Sequence, residues 1–253
     1  MKEEIRLFPD APSLARGAAE MIAGTVAAAV ASRGRCAVAL SGGTTPRLLF
    51  RLLAAEYLDR LPWPQVHFFW ADERAVPPDH EESNFRMAQT ELLARLSLLT
   101  EQVHRIRGEL IPAAAAEAYE ADLQGYFGEA GPPVFDLILL GVGEDGHTAS
   151  LFPGDGALTE EHRWAVPAYS PATANWRITL TLPVLNNAAA VLFLVSGEAK
   201  AGVIGAILGQ GERDAYPAGL VQPVRGSVAW LLDQEAAAGL PPPLRREVLR
   251  VEF

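Results

Sequence analysis

Along the chain, runs of five to seven mostly apolar residues alternate with longer stretches in which apolar positions recur every three or four residues. The apolar runs predict strands at 4–8 (EIRLF), Cys36–Leu40 (CAVAL), 66–71 (VHFFWA), 134–140 (VFDLILL), 177–182 (RITLTL), 191–195 (VLFLV) and 228–232 (VAWLL). The stretches with helical spacing predict helices over 13–32, 46–58, 83–98, 113–127 and 198–208. Strands that are apolar throughout, such as CAVAL and VLFLV, must be covered on both faces, and a parallel sheet flanked by helices does this. The expected fold is therefore one α/β domain spanning 1–253: three-layer and Rossmann-like, with a mostly parallel sheet and helices on both faces. RITLTL alternates apolar with polar residues, which places it at an edge or in a small antiparallel addition. The Pro/Gly-rich GEAGPPVF is short enough to be an ordinary loop, so no domain boundary is marked.

Composition narrows the classes. With 49% hydrophobic and 21% charged residues, and neither a repeat nor a low-complexity tract, the chain has the makings of a core and no reason for long disorder. Thirty-one acidic against 21 basic residues give a formal charge of −10, which argues against nucleic acid or an anionic membrane as partner. A small anionic substrate is still admitted, because it feels a few nearby cations and helix ends more than the net charge. The segment MKEEIRLFPD has acidic residues where a signal peptide needs basic and apolar ones. The alanine-rich stretch 18–31 includes Glu20 and falls short of the ~20 strongly apolar residues of a membrane span. Cys36, the single cysteine, lies in a strand, so no intrachain disulfide forms and a reducing compartment is expected. A cytoplasmic protein acting on a small molecule fits all of this.

Open parallel sheets bind ligands beyond the carboxyl ends of their strands. Four such ends carry unusual sequences. In SGGTTP (41–46), Gly42 and Gly43 permit a tight turn that brings N–H groups close to a ligand, Thr44 or Thr45 can cap a helix, and Pro46 can open it. Together with the Ser41 hydroxyl this is the chemistry of a phosphate site, without the lysine of a Walker A loop; an ordinary strand-to-helix turn has the same composition. DERAVP places Asp72, Glu73 and Arg74 after a strand, followed by His80 and the pair Ser83-Asn84. Arg74 offers a charged fork of donors for a phosphate or an oxyanion; the alternative is a loop in which the two carboxylates neutralise it. In SGEAKA (196–201), Lys200 opposes the dipole of the helix that follows, which an anionic partner would explain. Arg177 is a second candidate for the phosphate, and for both residues a solvated surface position is the plain alternative.

GVGEDGHTASLFPG (141–154) begins as G-x-G-x-x-G, the dinucleotide fingerprint, but Pro153, Gly154 and Gly156 break the helix that the fingerprint requires. No acidic residue ends the next strand, so the fingerprint is rejected. What remains is Asp145-Gly-His147 on a glycine-rich loop. A histidine, with an ordinary pKa near ~6.5, is suited to take a proton from water, which makes His147 the candidate general base. No G-x-S-x-G elbow, H-E-x-x-H helix or cysteine beside a histidine motif is present, so covalent serine hydrolysis and zinc proteolysis are not expected.

These four motifs, in this order and at these spacings, resemble the glucosamine-6-phosphate isomerase/6-phosphogluconolactonase family, on its lactonase side. SGGTTPRLL, DERAVPPDHEESNF and LLGVGEDGHTASLFPG carry the resemblance, which runs from SGGTTP to WLLD. It implies hydrolysis of 6-phospho-D-glucono-1,5-lactone in the pentose phosphate pathway, with no metal or organic cofactor. It also implies that Ser41, Gly42, Gly43, Thr44, Thr45, Arg177 and Lys200 line the substrate site, with Asp72 beside them. Arg74 would meet substrate or transition state, His147 would activate water, and Asp145, like Asp72, would be a site carboxylate. The related deaminase carries a glutamate five residues after the histidine for ring opening; this chain has Phe152 there, which cannot carry protons. A non-catalytic sugar-phosphate-binding regulator is the remaining alternative, and neither a basic patch nor a helix-turn-helix supports it.

Overall fold

In a computed structural model, which describes residues 2–209, 211–242, 244 and 249–250, the chain opens with β1 (Lys2–Phe8), α1 (Ala11–Arg33) and β2 (Cys36–Leu40). It continues through α2 (Thr44–Glu56), β3 (Val66–Trp70), β4 (Asp72–Arg74), α3 (Asn84–Glu91), α4 (Pro112–Phe127) and β5 (Leu137–Leu140). A hairpin of β6 (Ala165–Ser170) and β7 (Asn175–Leu180) precedes α5 (Leu182–Leu185), β8 (Ala190–Val195), α6 (Ala201–Gly209), β9 (Ser227–Asp233) and β10 (Leu249–Arg250). Among the described residues, seven strands form a sheet in the order β10-β1-β9-β8-β5-β2-β3, with every pairing parallel. A second, antiparallel sheet has the order β4-β7-β6.

Every residue of β2 and β5 is buried, as strands sandwiched between two layers must be. Between β8 and β9 the cross-strand partners Phe193 and Trp230 stack with centroids 3.9 Å apart. Burying an aromatic ring of this size contributes about 1.5–3 kcal/mol. Helix α1 begins where Asp10 accepts the Ser13 N–H at 2.8 Å and ends at Gly34, whose φ of +73° suits glycine. By length and composition this helix is apolar enough to cross a bilayer, yet Leu14, Ala18, Ile22 and Val26, four residues apart, are buried in the core.

Connections β1–α1–β2 and β2–α2–β3 advance toward the β3 edge, whereas β3–α4–β5, β5 to β8 and β8–α6–β9 run back. Right-handed crossovers therefore put α1 and α2 on one face, where they touch, and α4 and α6 on the other. The chain leaves the neighbouring ends of β2 and β5 in opposite directions, and such a reversal opens a crevice at the carboxyl edge.

The segment from β3 to β4 passes from the large sheet to the small one at Ala71. Its N–H donates to the Leu40 C=O and its C=O accepts the Leu180 N–H, both at 2.8 Å. RITLTL thus belongs to an antiparallel addition, as its alternation allows, but β7 starts two residues earlier than expected and is the middle strand, not an edge. Strand β6 escaped notice because Pro167 interrupts its pattern; on the outside of the small sheet a missing N–H is tolerated. The helix expected over 83–98 stops at Glu91, since Leu92 leaves helical geometry and lets both Leu92 and Leu93 enter the core. The helix expected from 198 begins as a 3-10 turn, Glu198–Lys200, before α6.

Candidate active site

All four motifs meet at this crevice, around a cavity of about 260 Å³. Of the residues that the resemblance places in the site, all border it except Asp145, which reaches it through His147; Glu73, His80, Ser83 and Phe152 do not line it.

On the β2 side, the helix cap is Gly43 itself, at φ +106°, not a threonine; Thr44 opens α2, and Pro46 stands third rather than first. No side chain caps this terminus, so its first N–H groups are left at the cavity rim. Thr45 is instead spent on a hydroxyl–hydroxyl bond of 2.8 Å to Ser196, which ties the loop to the end of β8. Gly42 lies against the Asn84 carboxamide so closely that a Cβ there would overlap it.

On the small sheet, Arg74 and Arg177 are direct cross-strand partners. Like charges so placed repel. Neither forms an ion pair among the described residues, and the Nε of each is buried without a partner. Arg74 Nη1 donates to the Glu82 C=O, and Arg177 Nη2 to Thr173 Oγ1 at 3.2 Å. Burial, with Arg74 alongside, lowers the Arg177 pKa from its usual range. The loop in which two carboxylates would neutralise Arg74 is not what forms: Asp72 accepts from Ser150 Oγ at 2.7 Å and from Asn84 Nδ2 at 3.3 Å, while Glu73 faces away. Burial pushes the Glu73 carboxyl above its usual range, against hydrogen bonds from Phe85, Asn84, Arg74 and Ser83 that pull it down. Lys200, half-buried at the end of its 3-10 turn, adds a third cation with no ion pair among the described residues. Its loop is held by Asp233, which accepts the Gly197 N–H at 3.0 and 3.1 Å.

The loop after β5 is folded on itself. The Gly143 N–H donates to the His147 C=O at 2.8 Å, and the Gly146 N–H to the Gly143 C=O at 3.0 Å, with Gly146 at φ +80°. Asp145 Oδ1 accepts the His147 N–H at 3.1 Å and faces Nδ1 at 2.5 Å. Burial pushes the Asp145 carboxyl up, but its bonds to His147 outweigh this and hold it below the usual range. With Nδ1–H given to Asp145, Nε2 carries the free lone pair. Phe152 lies against the imidazole with centroids 4.7 Å apart and is itself buried. Ala149, bordering the cavity, adopts φ +48°, a conformation that only a well-determined surround maintains in a non-glycine residue.

The residues whose part sequence reasoning missed are Asn84, Ser150 and Ser196, which join loops far apart in the chain. Each stood inside a stretch the sequence singled out, Asn84 in the Ser83-Asn84 pair, Ser150 beside His147 and Ser196 at the start of SGEAKA, but no local pattern names their partners. Among the described residues no three His, Cys, Asp or Glu side chains converge in a metal-binding group.

Residues 9–230 match the family model for glucosamine-6-phosphate isomerases/6-phosphogluconolactonase. The chain is 38% identical over 244 residues to a 6-phosphogluconolactonase of Nostoc sp., covering 95% of this chain and 99% of that one. It is 41% identical over 246 residues to the human 6-phosphogluconolactonase, covering 96% and 95%. The solved 6-phosphogluconolactonase of Trypanosoma cruzi superimposes with a TM-score of 0.84 at 31% identity, over 93% of this chain and 96% of that one. With the sequence and the fold in agreement, the chain belongs to the glucosamine-6-phosphate isomerase/6-phosphogluconolactonase family.

Proposed function

We propose that this enzyme hydrolyses 6-phospho-D-glucono-1,5-lactone to 6-phospho-D-gluconate in the oxidative branch of the pentose phosphate pathway, using His147 to activate water. The observation that carries the mechanism is the Asp145–His147 pair, set at the edge of a cavity lined by cations that form no ion pair among the described residues. Nε2 of His147 takes a proton from water as the water oxygen attacks the lactone carbonyl. The resulting tetrahedral oxyanion is stabilised by Arg74 or by the loop N–H groups. Collapse breaks the bond to the ring oxygen, which leaves with the proton from the imidazolium. Asp145 keeps the imidazole in the tautomer that leaves Nε2 free and stabilises its charged form. No step calls for a metal or an organic cofactor. Lys200, Arg177 and the N-terminus of α2 hold the phosphate. Phe152, buried against the His147 ring, supplies no acid for an isomerising deamination. A reducing cytoplasmic setting fits Cys36, a free thiol whose pKa burial pushes up to about 12.

The phosphate assignment is tested by comparing the phosphorylated with the unphosphorylated lactone in wild type and Lys200→Ala. Lys200→Ala should raise KM for the phosphorylated lactone with kcat nearly unchanged, because the phosphate is held alike in ground and transition states. It should leave the unphosphorylated lactone unaffected. A loss confined to kcat would contradict the assignment.

A further inference from the structure

Glu73 is the residue of the β4 end that turns away from the cavity. Successive residues of a strand face opposite sides, so Asp72 and Arg74 border the cavity while Glu73 is only 2% exposed on the other side. A carboxylate is costly to bury unless it is well hydrogen-bonded. This one accepts four bonds: from the Arg74 N–H at 2.8 Å, the Asn84 and Phe85 N–H groups at 2.7 Å, and Ser83 Oγ at 3.0 Å. Three of the donors belong to the start of α3, where free N–H groups and the helix dipole favour an anion. One side chain of β4 thereby fixes where α3 begins.

The start of α3 touches the site in three places. Asn84 Nδ2 donates to the Asp72 C=O at 2.9 Å and to Asp72 Oδ1 at 3.3 Å. The Asn84 carboxamide packs on Gly42 at the spot a Cβ would need. The Glu82 C=O, just before the helix cap, accepts Arg74 Nη1. Asp72, Arg74 and the glycine pair are therefore all aligned by one short turn, and Glu73 holds that turn.

We infer that Glu73 is a positioning residue for the hydrolysis, acting through Asn84 and the 82–85 turn on Asp72, Arg74 and the Gly42-Gly43 loop; this rests on the lactonase reading above. Glu73→Gln keeps the size but sets an NH2 group against donors. Asn84→Ala cuts the links to Asp72 and Gly42 while keeping the N–H that Glu73 accepts. The experiment measures kcat and KM on the phosphorylated lactone, and Kd for inorganic phosphate, in wild type, both single variants and the double variant. Each single variant should lower kcat/KM by about 10- to 100-fold, since a misplacement near 1 Å costs on that order. The double variant should be no worse than Glu73→Gln alone, the signature of two residues acting along one path. Multiplicative losses, or a folded Asn84→Ala with wild-type kcat/KM, would overturn the inference. Should Glu73→Gln not fold, Asn84→Ala and Asn84→Asp decide it. Both should lower kcat/KM, because neither donates to Asp72, and retention of activity by either counts against the inference. If wild type failed to accelerate lactone opening, the lactonase reading would fall by itself, and coupling in phosphate Kd would still decide the role of Glu73.

Discussion

At the scale of single residues, the proposed reaction depends on how one imidazole is held. Gly143 is as much a part of this as Asp145: a Cβ on Gly143 would fall within contact distance of His147 Nδ1 and at 2.5 Å from Asp145 Oδ1. A methyl group there must push the Asp–His pair apart or move the whole loop. Gly143→Ala is therefore expected to lower kcat by about 10²-fold or more while leaving the affinity for inorganic phosphate near that of wild type, because the residues proposed to hold the phosphate lie on other loops. Parallel measurement of kcat and phosphate Kd checks this. A Gly143→Ala enzyme with full kcat would show that the imidazole needs no such close approach.

Among the elements, His67 of β3, His104 of the loop before α4 and Asp122 of α4 form a cluster away from the cavity. His67 Nδ1 lies 3.3 Å from His104 Nε2, and His104 Nδ1 lies 3.1 Å from both Asp122 oxygens. Burial, with His104 and Arg35 nearby, lowers the His67 pKa despite the opposing pull of Glu101. The sign follows from linkage: with the folded value below the unfolded one of about 6.5, the unfolded chain binds the proton first. The stability that neutral His67 contributes is thus present above about pH 6.5 and lost as pH falls below it. Thermal unfolding midpoints near pH 7.5 and 5.5 should fall toward the acid side in wild type and fall less in His67→Gln. An equal fall in both would contradict the assignment.

The same scale divides what the sequence made legible from what it did not. Fully apolar runs such as CAVAL declared the parallel sheet, because burial on both faces leaves no polar position. The motifs at four strand ends declared the cavity, because parallel strands deliver their ends to one edge. The small sheet stayed largely hidden: β4 is three residues long and β6 contains Pro167, so neither gives a period to read. Gly43 as cap, with Thr45 turned to Ser196, was equally out of sight, since the choice rests on a partner 151 residues away. Asn84 belongs to the same class. Its job is defined by Asp72 and Gly42, and nothing local to Ser83-Asn84 names those partners.

Over the whole molecule, the order of connections and the placement of charge act together. The chain departs from β2 and β5 in opposite directions, which opens the crevice, and the small sheet, hung from β3 through Ala71, brings Arg74 and Arg177 to its side. A chain with formal charge −10 thereby places around one cavity three cations that form no ion pair among the described residues. Screening makes that local field, not the net charge, what an approaching sugar phosphate meets. The most direct test follows freshly prepared 6-phospho-D-glucono-1,5-lactone, with a metal chelator present, against its spontaneous opening in the same buffer. Wild type should accelerate release of 6-phospho-D-gluconate, and His147→Ala should lose about 10² to 10⁴ in kcat. Folded wild-type protein that gives no acceleration, or a His147→Ala variant as fast as wild type, would contradict hydrolysis by a histidine-activated water.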